Sequence, residues 1–169
     1  MNSNRLLFSA AVVAASLAFA EDPAPAPAAP AGPPPPSADE IKRVMDYQDN
    51  GKDRGPALLD VVACLKVDQT KGSATIFTCI EPVTGPVKKA TTVNAWIQFF
   101  CPKGGKYEDL KVQWLLGNEV RQTTDFTVEG LARTRTWRAH TPPKAGKWTI
   151  KIVQGEGKEL GSTTFTVTD

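Results

Sequence analysis

Side chains able to perform acid–base or nucleophilic chemistry are few in this sequence. His140 is the single histidine, so a zinc site built from several histidines is excluded and a Ser-His-Asp arrangement would depend on this residue alone. No serine beyond residue 20 lies in a Gly-x-Ser-x-Gly turn. We expect the adjacent carboxylates of Glu108 and Asp109 to lie in a solvated loop.

A cysteine–histidine dyad and a calcium-binding loop are two further possibilities, and the sequence argues against both. A Cys101–His140 dyad would need an exposed thiol with a lowered pKa, whereas Cys101 shares strand parity with Phe99 and should point inward. The segment that begins at Asp46 resembles a calcium loop, but its twelfth position is Ala57, where a bidentate glutamate is required. The sequence therefore predicts that the protein is not an enzyme and has no catalytic residue, cofactor or metal site.

The other kind of candidate site is a recognition surface made of aromatic and basic side chains. Exposed tryptophan beside arginine suits stacking on a sugar ring or anchoring a protein partner. If each sheet buries only one face, one aromatic set must be at least partly exposed, although packing in the core remains the alternative for both tryptophans. The candidate surface consists of Trp96, Phe100, Arg133, Arg135, Trp137 and Arg138.

Antiparallel strands must position these side chains. Period-two alternation of β-branched and aromatic residues runs through 91–101, 110–116, 134–140 and 147–152, and a Gly-Asn pair at 117–118 predicts a hairpin. Residues 75–80 and 160–168 add two strands. The run 59–67 lacks alternation, so it could be a helix, but its valine content and a facing cysteine favour a strand. Residues 57–169 are thus predicted to form an immunoglobulin-like antiparallel β-sandwich of seven to eight strands.

The three cysteines belong to a chain that we expect to be exported to an oxidising compartment. Cys64 and Cys79 flank a turn that would bring two short strands together, so we predict a disulfide between them. A loop of about 15 residues would contribute roughly 3 kcal/mol in the chain-entropy model. Cys101 is then expected to be a buried, unpaired side chain.

The N-terminal third reads as three successive segments. Residues 1–20 predict a signal peptide, because an apolar run of about 14 residues is too short to span a bilayer and ends in Ala-Phe-Ala. Residues 21–37 are rich in proline and alanine and predict a disordered, extended linker. Residues 38–50 predict a short helix with Ser37 and Glu40 as a capping box and Asn50-Gly51 as a left-handed stop. Its narrow apolar stripe should dock on the sandwich or on a partner.

The charge of the chain and its predicted export indicate which partners and which location to expect. The chain has 20 basic and 18 acidic residues without a basic stripe, which argues against nucleic acid as a partner. We expect a periplasmic or secreted bacterial protein with no transmembrane segment after signal cleavage. Its partner would be an unknown envelope protein or a glycan. A monomer is expected, and a dimer bridged through Cys101 stays open.

Three pieces of the sequence resemble a known bacterial envelope family. They are Cys79-Ile80-Glu81-Pro82-Val83, the strand with Trp114 and its Gly117-Asn118 turn, and Thr134-Arg135-Thr136-Trp137 followed by Gly146-Lys147-Trp148 and Gly157-Lys158-Glu159-Leu160. In this order they resemble the domain of unknown function 2914. The resemblance implies a compact β-sandwich attached to exported or membrane-anchored proteins, and it implies no established activity. Arg138 stands where the family usually has serine.

The hypothesis from sequence is a non-catalytic module for protein binding or assembly in the cell envelope. The alternative is a carbohydrate-binding or polysaccharide-associated accessory protein that uses Trp96 or Trp137.

Overall fold

The computed structural model describes residues 36–130 and 132–169, so the predicted signal peptide and all of the predicted linker before Pro36 lie outside the described residues. One α-helix, one 3-10 turn and nine strands follow within the described part. They are α1 Ala38–Asn50, the turn Lys52–Arg54, β1 Ala57–Val67, β2 Cys79–Pro82, β3 Val87–Lys88, β4 Val93–Phe100, β5 Lys106–Leu116, β6 Glu119–Glu129, β7 Thr134–His140, β8 Gly146–Gln154 and β9 Lys158–Thr168.

The strands form two sheets. The first sheet has the order β2-β1-β4-β7 and the second the order β3-β9-β8-β5-β6. All pairs are antiparallel except the two-residue pairing of β3 with β9. Placing β4 and β7 in one sheet and β5, β8 and β9 in the other is the arrangement of an immunoglobulin-like sandwich. The predicted fold class is confirmed, with one or two more strands than expected.

The core lies between the two sheets and follows the alternation in the sequence. On β4 the odd-numbered residues from Val93 to Phe99 are buried, and β5 and β8 contribute Trp114 and Trp148, both with no exposed surface. Burying side chains of this size stabilises the fold by roughly 1.5–3 kcal/mol each. The predicted strand 59–67 is confirmed within β1, which pairs with β4 along most of its length.

The predicted hairpin is confirmed, but β5 begins earlier than expected. Leu116 pairs with Glu119 across the two-residue turn, and Gly117 adopts a φ of 60°, in the left-handed region that favours glycine. Glu108 and Asp109 were expected in a loop and instead lie within β5, with both residues exposed. A register irregularity between Tyr107 and Leu110 lets the pair stay on the solvent side while the strand continues.

The predicted strand 75–80 is mostly wrong. Only Cys79–Pro82 forms β2, and residues 70–78 form turns. The physical reason is Asp68, whose carboxylate accepts hydrogen bonds from the Thr70 N–H and from the hydroxyls of Ser73 and Thr75. These local bonds compete with strand pairing, as serine, threonine and aspartate side chains often do.

The helix begins as predicted and ends differently. The Ser37 hydroxyl accepts from the Glu40 N–H while the Glu40 carboxylate accepts from the Ser37 N–H, which completes the capping box. The left-handed stop is wrong, because Gly51 has φ −91° and still donates to the Tyr47 carbonyl. The left-handed residue is Gly55, with φ 88°, after the 3-10 turn.

Candidate binding surfaces

The outer face of the first sheet carries three of the predicted recognition residues. Trp96 of β4 pairs with Trp137 of β7, and Arg135 lies two residues before Trp137 on the same side of the strand. We call Trp96, Arg135 and Trp137 the tryptophan–arginine face. Trp96 is 6% exposed, whereas Trp137 and Arg135 are half-buried. The structure thus brings these side chains together; strand parity predicts that Arg135 and Trp137 share a face, whereas the pairing of β4 with β7 places Trp96 beside them.

A segment of the same chain covers this face. Residues 68–78, which we call the strap, connect β1 to β2 and lie over the two tryptophans. The Trp96 indole N–H donates to the Phe77 carbonyl at 2.8 Å, and the Phe77 ring lies 5.8 Å from the Trp137 ring, centre to centre. The Arg135 guanidinium donates to the Ile76 carbonyl at 3.4 Å and to the Thr78 hydroxyl at 3.3 Å. Neither sequence periodicity nor any motif indicated this cover.

The strap is closed by a disulfide and by one carboxylate. Cys64 and Cys79 are bonded, which confirms the predicted pairing, and Cys64 packs in a small cluster with Trp96 and Val67. Inside the strap, the Phe77 N–H donates to the Asp68 carbonyl and the Asp68 N–H donates to the Thr78 carbonyl. The hydroxyl and N–H donors around the Asp68 carboxylate hold its pKa well below the usual range.

Phe100 lies on the same side of β4 as Trp96 but is covered by the helix. The Tyr47 ring stacks on the Phe100 ring with 5.8 Å between centres, and the Tyr47 hydroxyl donates to the Gly55 carbonyl. The Gln48 carbonyl accepts from the Lys103 N–H. The helix therefore docks on the sandwich through its last turns, and Phe100 is half-buried.

The first turns of α1 leave an apolar face exposed. Ile41, Val44 and Met45 are 51%, 55% and 54% exposed, although the sequence predicted that this stripe would dock on the sandwich or on a partner. Beside them Leu59 of β1 is 49% exposed. We call these four residues the α1 patch. Half of four such side chains is on the order of 350 Å², a size at which apolar patches on monomers often mark interaction sites.

A groove joins the two parts of this patch. It has a volume of about 620 Å³ and runs between α1 and the start of β1. Val44 and Leu59 line it from either side, the Tyr47 and Phe100 rings also line it, and Glu40 and Arg43 add polar atoms. The apolar stripe of the helix could be predicted from the sequence. The exposure of Leu59 could not, because it depends on where the helix packs on the sandwich.

The remaining predicted residues lie elsewhere. Arg133 is exposed just before β7. Arg138 points to the opposite side of β7 from Trp137, with its guanidinium carbon 5.3 Å from the centre of the Phe126 ring, and burial lowers its pKa. The candidate surface is therefore divided by the structure into the tryptophan–arginine face, a ring under the helix and two separate arginines.

Cys101 and His140 lie at opposite ends of the first sheet. His140 pairs with Val93 at the start of β4, and Cys101 follows the end of that strand, which places them about 25 Å apart at the rise of an extended strand. Cys101 is fully buried and unpaired, as predicted, and burial raises the pKa of its thiol. The His140 ring lies 5.0 Å from Trp114 and 5.3 Å from Trp148, and burial lowers its pKa. A Cys101–His140 dyad is not assembled.

Comparison with known families gives one match. Residues 107–167, from β5 into β9, match the family model described as a protein of unknown function, DUF2914. The match confirms the resemblance. It includes the DUF2914-like Trp114 hairpin and the Arg-Thr-Trp and Gly-Lys-Trp pieces, whereas the Cys79–Pro82 piece, the strap and α1 lie outside the matched residues.

The other comparisons add no functional information. No curated protein sequence matches the chain. A solved structure of Pseudomonas fluorescens alkylpurine DNA glycosylase AlkC, bound to DNA containing an abasic site analog, aligns at 12% identity with a TM-score of 0.41. The alignment covers 78% of this chain and 37% of the glycosylase chain, so this chain spans well under half of that protein. Within the described residues no helix has the length and apolar character to cross a membrane.

Proposed function

We propose that this chain is an exported, non-catalytic β-sandwich module that binds or assembles with a protein of the bacterial cell envelope through the α1 patch. The observation that carries the proposal is the exposure of Ile41, Val44, Met45 and Leu59, of which Val44 and Leu59 line one apolar groove. Leaving such side chains in water forgoes roughly 25 cal/mol for each Å² that a partner could cover. Holding these apolar side chains in water on a fixed helix is therefore unfavourable unless a partner covers them.

The way in which the helix is attached supports this assignment. Its last turns are held by the Tyr47–Phe100 stack and by the Lys103 N–H, so the exposed face is presented on a fixed element. The helix therefore needs little further ordering when a partner binds, which lowers the entropic cost of association.

Site-specific photo-crosslinking tests this function. A photo-crosslinking amino acid in place of Ile41 samples the α1 patch, and the same amino acid in place of Asp39 samples the other side of the helix, about 200° away. In the living bacterium we expect one defined protein adduct from position 41 and none from position 39. Equal adducts from both positions, or no adduct from either, would contradict the proposal.

A further inference from the structure

The strap contacts the tryptophan–arginine face in the way that a bound peptide would. It offers one aromatic ring, from Phe77, to the Trp137 ring, and two successive backbone carbonyls, from Ile76 and Phe77, to the Arg135 guanidinium and the Trp96 indole N–H. Indole N–H, guanidinium and an aromatic ring together are the groups that commonly anchor peptides at protein interfaces. The acceptors that they meet here belong to a peptide backbone.

The strap and the face are also separable. The strap forms backbone hydrogen bonds within itself, from Ser73 to Thr70, from Ile76 to Ser73 and from Thr78 to Thr75, in addition to its closure at Asp68. Strand pairing with β1 begins only at Cys79. The strap can therefore leave the face without breaking the pairing of either sheet.

Phe77 is held in an unusual conformation on this face. Its φ is 61°, in the left-handed region that a residue with a large side chain rarely adopts, and the residue is 45% exposed although its ring packs on Trp137. A residue in such a conformation persists where the surrounding contacts enforce it. Here those contacts are the Trp96 and Trp137 side chains and the closed strap.

We propose that the tryptophan–arginine face is a recognition site for an extended peptide segment that bears an aromatic residue, and that the strap is its intramolecular occupant. The Cys64–Cys79 disulfide keeps the strap in place, and its reduction by a protein or small-molecule dithiol vacates the site. This site is distinct from the α1 patch, so it stands or falls separately from the proposed function.

The reducing step is ordinary thiol–disulfide exchange. Cys64 is fully buried and Cys79 is half-buried, so an incoming thiolate reaches the Cys79 sulfur, forms a mixed disulfide there and releases Cys64 as the leaving thiolate. The second thiol of the dithiol then displaces Cys79 and closes its own disulfide. Two electrons pass from the dithiol to the protein, and two cysteine thiols result.

A peptide taken from the strap itself is the probe. The eight-residue peptide Ser73–Ile80, made with Cys79→Ser, is titrated against the protein with Cys64→Ala and Cys79→Ala, and against the oxidised parent, with tryptophan fluorescence as the readout. The matched control peptide carries Phe77→Ala. We expect saturable binding to the bridge-free protein, at least tenfold weaker binding to the oxidised parent, and at least tenfold weaker binding of the control peptide.

The contradicting results are equally defined. Equal binding of the two peptides, equal binding to the two proteins, or no binding to a bridge-free protein whose near-ultraviolet circular dichroism is native would overturn the proposal. Saturable binding of a chitooligosaccharide but not of the peptide would also overturn it, and would favour carbohydrate recognition. If the bridge-free protein does not fold, the disulfide-intact Phe77→Ala protein takes its place, and absence of peptide binding to that folded variant overturns the proposal.

Discussion

Loss of the Cys64–Cys79 disulfide should lower stability by an amount that the structure allows to be calculated. The bridge closes a loop with a sequence separation of 15 residues, which corresponds to about 3 kcal/mol of unfolded-state entropy at 25 °C. For a domain of this size, that free energy corresponds to a decrease in Tm of about 10 °C. Cys64 also packs in the small cluster with Trp96 and Val67, so removal of its sulfur should lower stability by a further, smaller amount through lost packing.

The assay is denaturant unfolding of the parent, of Cys64→Ala, of Cys79→Ala and of the double variant. Because either single substitution removes the whole bridge, each should cost about 3 kcal/mol and the double variant should cost little more than Cys64→Ala alone. Single-variant losses that add up in the double variant, or a loss below about 1 kcal/mol, would refute this reasoning, which attributes the effect to loop closure.

Three further predictions concern pH and the helix cap. The pKa of Asp68 is lowered in the folded protein, so its ionised carboxylate adds to the free energy of unfolding at neutral pH, and this stabilisation is lost as the pH falls below the unfolded pKa of about 3.9. Asp68→Asn should therefore make stability depend less on pH in the acid range. Asp60→Asn, at an exposed strand position, should leave that dependence unchanged. Burial lowers the pKa of His140, so the parent should lose stability as the pH falls below the unfolded value of about 6.5, and His140→Gln should remove that dependence; an unchanged slope between pH 5 and 7 would contradict it. Ser37→Ala should cost the helix about 1 kcal/mol, seen as faster hydrogen exchange in its first turn, with exchange in β5 unchanged.

Local patterns predicted much of the fold because they act over short distances. Alternation from Val93 to Phe99 marks a strand with one face in the core, and Ser37 with Glu40 marks a helix start, since each pattern is satisfied by neighbouring residues. The Cys64–Cys79 pairing followed from the turn between them. These predictions required no knowledge of what lies across the sandwich.

The outer surfaces could not be predicted in the same way. Whether Trp96 is exposed depends on the strap, and the strap depends on hydrogen bonds that gather Thr70, Ser73 and Thr75 around Asp68, a set with no period in the sequence. The division of the recognition residues into separate surfaces has the same origin. Parity along a strand says which residues share a face, but it does not say what covers that face.

The most direct test of the proposed function is the mass of the complex that contains the exported chain, measured by native size separation of a periplasmic or envelope extract. The exported chain should migrate in a complex that is heavier than the chain alone. Ile41→Ser with Val44→Ser, in the α1 patch, should return it to its monomer mass, and Asp39→Ser with Asp46→Ser, on the opposite side of the helix, should leave the complex intact. A parent chain that migrates alone, or a complex that survives the first pair of substitutions, would contradict binding through this patch.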